Sequence, residues 1–342
     1  MPAARDIPSA GLVLKANLYP LKGMAVIRWW TDGCPAATLR RQQQGQHSVR
    51  DALFGFIAAH FPTERICDSR LLAAIWRVFF FGLSPSKPFV MRTRHYRLMA
   101  HPRKGTLTRA VIRRGHWEPG ETEAFINCLS PGALVMDVGA NFGHYAMVAG
   151  KFVGPEGRVI GFEPHGKTYA LLAENCALQP HSNISPVQAG VAAESGEMTL
   201  TGDSANPGGH SFVAENVYGA GATEIVPVYS VDGYMAENYP DRKLDLIKID
   251  VQGLEGQVIG GATATIDRDR PTIFMEISPV PMRNAGDDFR DLLHFFEQRG
   301  YGSHMIRGSD GGLEPVTYAE AENRLSDPAI EYLDCVFEPG QD

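Results

Sequence analysis

Four residues in "MDVGANFG" alternate with others: Asp137, Gly139, Asn141 and Gly143. They follow the apolar run Ala133–Val138, which reads as a buried strand, and precede His144–Phe152, which reads as a helix. Gly139 allows a tight turn and close approach of a ligand to the backbone. Asn141 tolerates a left-handed conformation almost as well as glycine. Gly143 lets the helix start near the strand, with its free N–H groups turned to the ligand. A dinucleotide turn would carry GxGxxG, the second glycine admitting the pyrophosphate. Here Asn141 stands at that place and the spacing is GxxxG. Asp137 would repel a pyrophosphate, whereas it could help to hold an ammonium group. S-adenosylmethionine carries an ammonium, a carboxylate and a sulfonium and no phosphate, so D-x-G-x-N-x-G favours that cofactor.

The second strand, Arg158–Phe162, runs into Glu163 and Pro164, one βαβ step after Gly139. An acidic side chain at this strand end can accept both hydroxyls of a ribose. Gly190, near the end of a third strand read as Ile184–Val191, completes the candidate cofactor set. A fourth strand carries "LIKIDVQGLEG". Lys248 and Asp250 lie two apart and therefore share a face. Asp250 falls at the carboxyl edge, where it could serve as a general base, or anchor the cofactor or the acceptor. A lysine in an apolar strand needs a partner, which Asp250 or Glu255 could supply. The bland reading of Lys248, an ion pair that only shapes the site, is preferred to direct catalysis. His210 in "NPGGHS" is a second candidate base, carried by a glycine-rich loop after the third strand. His144 and His165 sit beside the cofactor motifs, and a lone histidine is more often structural. No HxxxH or clustered-carboxylate spacing points to a metal.

The elements that must position these residues alternate between strands and helices from Trp117 onward, which implies a parallel sheet covered on both faces. Helices are expected at Lys167–Leu178, Leu254–Ala262 and Asp287–Gln298. Further strands are expected at Thr272–Ile277, Ser303–Ile306 and Ile330–Phe337. Residues Thr199–Val226 read as a polar, glycine-rich interruption. Upstream, residues 1–45 read as a partly ordered arm. Residues 46–115 read as an extension of two helices and short strands, whose aromatic faces suit core packing, a lid or a homodimer contact. Residues 116–342 form the remaining domain.

Bulk composition narrows the partners. Residues 1–115 carry 19 Lys+Arg against 5 Asp+Glu, although the whole chain has a formal net charge of −7. Nine basic residues and no acidic one lie between Ser86 and Gly115. Such a block could hold an anionic partner or pair with the acidic remainder. Five scattered cysteines without a CxxC pair argue against a disulfide framework or a structural zinc site. The N-terminus lacks a signal-peptide layout and no stretch is long enough to span a bilayer, so a cytoplasmic location is expected.

Four stretches together resemble the FkbM-type S-adenosylmethionine-dependent methyltransferases: "PGALVMDVGANFGHYA", "GRVIGFEPHGKTYALLAENC", "LDLIKIDVQGLEGQVIGGA" and "RPTIFMEIS". The resemblance covers roughly Trp117 to Gly302. It implies an α/β class I methyltransferase fold, a Rossmann-like, seven-stranded and mostly parallel sheet with an antiparallel last strand. It implies S-adenosylmethionine at Asp137, Gly139, Asn141, Gly143 and Glu163, and methylation of hydroxyls on sugars, glycans or natural products. Gln252 departs from the glutamate common in such proteins, which bears on the acceptor. The alternatives are a nitrogen acceptor in a peptide or an RNA, with the basic segment docking it, and a non-catalytic scaffold.

Overall fold

The computed structural model describes residues 88–340 except 102–110, 112–116, 204–208, 218 and 309. The expected N-terminal arm, the two helices before Leu83 and the basic residues of 102–110 and 112–116 lie outside the described residues. Among those described, no helix is long and apolar enough to cross a membrane.

The chain opens with a hairpin, β1 (Phe89–Arg92) and β2 (Arg97–Ala100), then α1 (Pro119–Asn127). Next come β3 (Leu134–Val138), α2 (His144–Phe152), β4 (Arg158–Phe162), α3 (Gly166–Cys176) and β5 (Ile184–Val187). Strands β6 (Gly190–Val191), β7 (Gly196–Asp203) and β8 (Ala220–Tyr229) precede α4 (Val231–Asn238) and β9 (Leu246–Ile249). Helices α5 (Glu255–Gly260) and α6 (Thr263–Asp269) lead to β10 (Thr272–Ile277), α7 (Pro279–Asn284) and α8 (Phe289–Gln298). The described chain closes with β11 (Tyr301–Arg307), β12 (Gly312–Val316), α9 (Tyr318–Leu325) and β13 (Leu333–Pro339).

Eight strands form the central sheet in the order β12-β11-β13-β10-β9-β3-β4-β5. The β10-β9-β3-β4-β5 pairs are parallel, while β13 is antiparallel to both β10 and β11. This is the expected mostly parallel α/β sheet with an antiparallel β13, enlarged from seven strands to eight. The eighth arises because the left-handed glycines Gly308 and Gly311 fold residues 312–316 back onto β11. The chain runs from β3 outward to β5 and then returns to β9 on the other side of β3. The switch point therefore lies at the carboxyl ends of β3 and β9, where open α/β sheets hold their ligands.

Every residue of β3 and β9 is buried because helices cover both faces. Met136, Val138, Ile247, Ile249 and Met275 pack with Val258, Ile266, Phe289 and Phe296 of α5, α6 and α8. Val135, Leu246 and Phe274 pack on the other face with Phe125 of α1, Tyr145 and Met147 of α2, and Met91 and Leu98 of the hairpin. Strand alternation puts Asp137 and its register partner Lys248 on this second face.

Two expectations need correction. The strand read as Ile184–Val191 breaks in two: Ile184–Val187 stays in the central sheet, and Gly190–Val191 pairs with β8 instead. The section read as a polar interruption holds a second sheet of three strands, β6-β8-β7. Its pattern was masked because one side faces solvent, as the largely exposed Ile225 shows. Helices α4, α6, α7 and α9 were also not anticipated. They are short, and α9 is set by a local capping box between Thr317 and Glu320.

Candidate functional site

The turn after β3 is built from left-handed backbone. Gly139, Asn141 and Gly143 have φ of 83°, 52° and 95°. A Cβ at Gly139 would collide with the Asp250 carbonyl oxygen, so only glycine lets the β3 and β9 ends approach this closely. A Cβ at Gly143 would press on Leu172 of α3. The amides of Gly139 and Ala140 both donate to the Phe162 carbonyl, at 3.1 and 2.8 Å, which lashes the turn to the end of β4.

Glu163 is buried beside this turn. One carboxylate oxygen accepts from the Asn141 amide and the other from the His165 amide, each at 3.0 Å. Burial dominates its titration and carries the pKa up to about 7, against the pull of the two amides. Each oxygen keeps a second lone pair, so the fixed carboxylate can accept two further donors on one ligand.

Gly139, Asn141, Glu163, Pro164, Gly190, His210 and Asp250, all expected from the sequence, line one cavity of about 650 Å³ including its open mouth. Gln252, singled out for its bearing on the acceptor, lines it too, whereas Thr168, Leu200, Phe212 and Val251 complete much of its wall and were missed. Phe212 and Leu200 reach the cavity from the small sheet and its loop. Gly190 lacks a side chain where one would strike the Phe212 ring. The only local clue to Phe212 was its position two residues after His210. Among the described residues, no lysine or arginine lines the cavity.

Three expected residues do not line the cavity. Gly143 acts through the helix start. Asp137 has no exposed surface. Neither of its oxygens makes a hydrogen bond of good geometry, although the Ala146 amide is close enough to draw its pKa down. Burial nonetheless lifts that pKa to about 6. Lys248, 4% exposed, donates to Asp250 Oδ2 at 3.0 Å and sits 4.7 Å above the Tyr145 ring. Burial works against its charge, but Asp250, Asp137 and Glu118 outweigh that and raise its pKa. The expectation that Lys248 needs Asp250 as partner holds. Glu255, the other suggested partner, instead accepts from the Gly253 amide at 3.0 Å.

Asp250 thus joins the cavity to a second polar group. Its Oδ1 accepts from Gln252 Nε2 at 3.3 Å. Gln252 is left-handed at φ 56°, and its carbonyl accepts from Asn216 at 2.9 Å, which ties the small-sheet loop to the site. Beyond Lys248, Glu276 and Asp334 are cross-strand neighbours on β10 and β13. Tyr145 donates to Glu118 at 2.9 Å nearby. Burial, then Asp250 and Asp334, push Glu276 up to about 9, and burial with Glu121 and Glu118 lifts Asp334 to about 7. Sequence reading missed this carboxylate wall because its members come from three distant elements.

The histidines part company. The His165 and His210 rings lie 3.7 Å apart at 33°, and His165 Nδ1 pairs with Thr168 Oγ1 at 2.9 Å. His144 is buried with Nδ1 on the Tyr96 hydroxyl at 2.7 Å and Nε2 on Thr122 at 2.8 Å. Burial drives its pKa down to about 3, so it is a neutral structural link between the hairpin, α1 and α2. Three free cysteines, Cys128, Cys176 and Cys335, lie among the described residues, which contain no His/Cys/Asp/Glu cluster able to hold a metal ion.

Residues 137–302 match the family model of the methyltransferase FkbM domain. This stretch of the chain is similar to an FkbM-type methyltransferase domain. The match begins at Asp137 and takes in Glu163, Asp250 and the small sheet. The chain is similar to methyltransferase sdnD of Sordaria araneosa, with 26% identity over 155 residues, 37% of this chain and 60% of that protein. Among solved structures, methyltransferase FkbM from Methylobacillus flagellatus is similar at 17% identity and a TM-score of 0.37, covering 61% of this chain and 44% of that one. A SAM-dependent O-methyltransferase from Thermotoga maritima is similar at 10% identity and a TM-score of 0.35, covering 79% and 82%.

Proposed function

We propose that this protein is an S-adenosylmethionine-dependent methyltransferase acting on a hydroxyl of a sugar, glycan or natural product. The observation that carries the reading is Glu163: a buried carboxylate at the second strand end, fixed by two backbone amides, with free lone pairs toward the glycine turn. Such a group suits a ribose diol. A cavity wall that, among the described residues, carries neither lysine nor arginine suits a cofactor without phosphates better than a dinucleotide. Gly139 brings the ends of β3 and β9 together at the cavity, where any Cβ would strike the Asp250 carbonyl. Glu163 and Asn141 would hold the cofactor, with Phe212 and Pro164 offering apolar surface. Bound there, the cofactor supplies an electrophilic methyl group.

The chain's own part is to align an acceptor oxygen with that methyl, which is largely an orientation task. Asp250 stands on the cavity wall with its carboxylate held between Lys248 and Gln252. It accepts a hydrogen bond from the acceptor hydroxyl and takes up its proton as the oxygen attacks. Lys248 positions Asp250 and does not touch the acceptor. His210 is the second candidate for proton transfer. The carboxylates Glu118, Glu276 and Asp334 beyond Lys248 favour a second reading, an amine acceptor, and disfavour an anionic group at the methyl.

Calorimetry with S-adenosylmethionine and NAD tests the cofactor. The expected result is binding of the first alone; NAD binding without a S-adenosylmethionine signal overturns the reading. A screen of hydroxyl and amine acceptors with methyl-labelled cofactor, read by fragment mass, then separates oxygen from nitrogen.

A further inference from the structure

A second cavity, about 850 Å³ including its mouth, lies between the β1–β2 turn, the C-terminal half of α2 and the connection from α3 to β5. It shares no lining residue with the cavity at the glycine turn. Helix α2 links the two: Gly143 caps its start, and Met147, Gly150 and Lys151 line the second cavity. At about 1.5 Å per residue, the nine-residue helix holds its two ends about 13 Å apart. Arg92, Arg94, His95, Arg97, Lys151 and His181 surround the second space, and no carboxylate lines it among the described residues.

This arrangement is built rather than incidental. The Thr93 amide donates to the Tyr96 carbonyl at 2.8 Å, and Thr93 Oγ1 accepts from the Tyr96 amide at 3.1 Å, closing the hairpin turn. Tyr96 is bonded down to His144 of α2. Gln179 clamps Arg97 from the other side, its Oε1 accepting from the Arg97 amide at 3.3 Å and its Nε2 donating to the Arg97 carbonyl at 2.7 Å. The three arginines therefore spring from fixed backbone. One carboxylate is near: Glu123 pairs with Arg94 at 2.9 Å.

His95 adds an independent sign. Its side chain is 10% exposed, and its Nδ1 is buried without a hydrogen-bond partner. Burial, with Lys151 and Arg94 adding positive field, lowers its pKa to about 4. A neutral imidazole with an unmatched buried nitrogen thus lies in a positive field, its Nε2 4.0 Å from Glu123.

We propose that this cavity is a binding site for the phosphate group of a small phosphate ester. Guanidinium forks match the paired oxygens of phosphate, and three of them with an ammonium suit a dianion better than a single carboxylate. The space exceeds that of an ion alone, and Met147 and Pro180 give apolar wall for the organic part of the ester. The inference stands apart from the cofactor reading, since none of its residues belongs to the first cavity.

The test is titration of the full chain, without cofactor, with inorganic phosphate and with glycerol 3-phosphate at low salt. Calorimetry and the imidazole resonances of His95 give the readouts. The expected dissociation constant for the ester is about 1 mM or tighter, with a shift of the His95 ring signals, and weaker binding of inorganic phosphate. Arg92→Gln with Arg97→Gln should weaken ester binding at least about tenfold, the loss of two charge-assisted contacts. Lys151→Gln is the second variant, should the double variant fail to keep its melting temperature. Equal affinity for free phosphate and ester would overturn the ester assignment. So would a single-stranded RNA that binds far tighter with a steep salt dependence. No binding at 10 mM, or binding that the variants leave unchanged, would overturn the site.

Discussion

The two cavities at either end of α2 are made from different material. The first is made from backbone: left-handed residues, strand-end carbonyls and amides, with Glu163 held by main chain on both oxygens. The second is made from side-chain charge, carried by a hairpin turn and the end of a helix. Main-chain geometry is fixed by the sheet and changes little when one side chain is replaced, so the first cavity keeps its shape and loses single contacts. The second depends on a sum of charges, each exposed enough to be screened by salt. Each polar group of the first therefore carries a large share of its chemistry, and those of the second a small share each.

The largest expected effect sits where the first cavity meets the carboxylate wall. Asp250→Asn should lower turnover by about 10²–10⁴-fold if Asp250 is the base. Lys248 is buried against this carboxylate. The same variant should therefore also destabilise the protein, by less than the cost of about 3–5 kcal/mol for a fully buried pair, since the Asp250 side chain is 32% exposed. Adding Lys248→Met should restore much of the melting temperature and none of the turnover. Recovered turnover in the double variant would make Asp250 purely structural and leave His210 as the base.

Next in size is Glu163→Ala. It should weaken S-adenosylmethionine by about 1.5–3 kcal/mol, the range for a lost hydrogen bond to a charged group, measured by calorimetry. The variant should also lose some stability, since the Asn141 and His165 amides lose their acceptor, an effect tempered because burial already holds the Glu163 pKa up at about 7. A large drop in melting temperature with unchanged affinity would show that the carboxylate only braces the turn.

Glu276→Gln probes the carboxylate wall. Its folded pKa, about 9, lies above the ordinary carboxyl value. Between about pH 4.5 and 9 the folded protein thus holds more of this proton than the unfolded chain, and stability from this group falls as pH rises. The amide removes that loss. The melting temperature of the variant should exceed that of the parent by a few degrees (about 4 °C per kcal/mol or less for a domain of this size) at pH 8, and the gap should close by pH 4.5. A gap that stays constant with pH would mean that Glu276 does not titrate in this window.

The smallest effect is expected in the basic cavity. Arg94 is exposed and pairs with Glu123, so Arg94→Gln should change stability by about 0–1 kcal/mol, read by denaturant titration. A larger loss would mean that the charges clamp the hairpin to α1, and the contrast between the two cavities would blur.

Local pattern determined a good deal by itself. The turn, Glu163 and Asp250 were legible because a strand end, a left-handed glycine and a helix start are specified by neighbouring residues. Helix α2 and strands β4 and β10 were legible as His144–Phe152, Arg158–Phe162 and Thr272–Ile277 because their apolar runs are long relative to their ends. The concentration of charge before Gly115 was equally plain. Tertiary structure alone decided the rest. The break of Ile184–Val191 depends on β8, which lies about thirty residues further on and pairs with Gly190–Val191. That pairing is what carries His210 and Phe212 to the cavity. The Glu118, Lys248, Glu276 and Asp334 grouping joins elements from both ends of the domain. The clamp of Arg97 by Gln179, 82 residues further on, likewise turns a basic stretch into a basic cavity. Periodicity records which face of an element is apolar, but not which distant element will cover it, and sites assembled across that choice appear only once the sheet is closed.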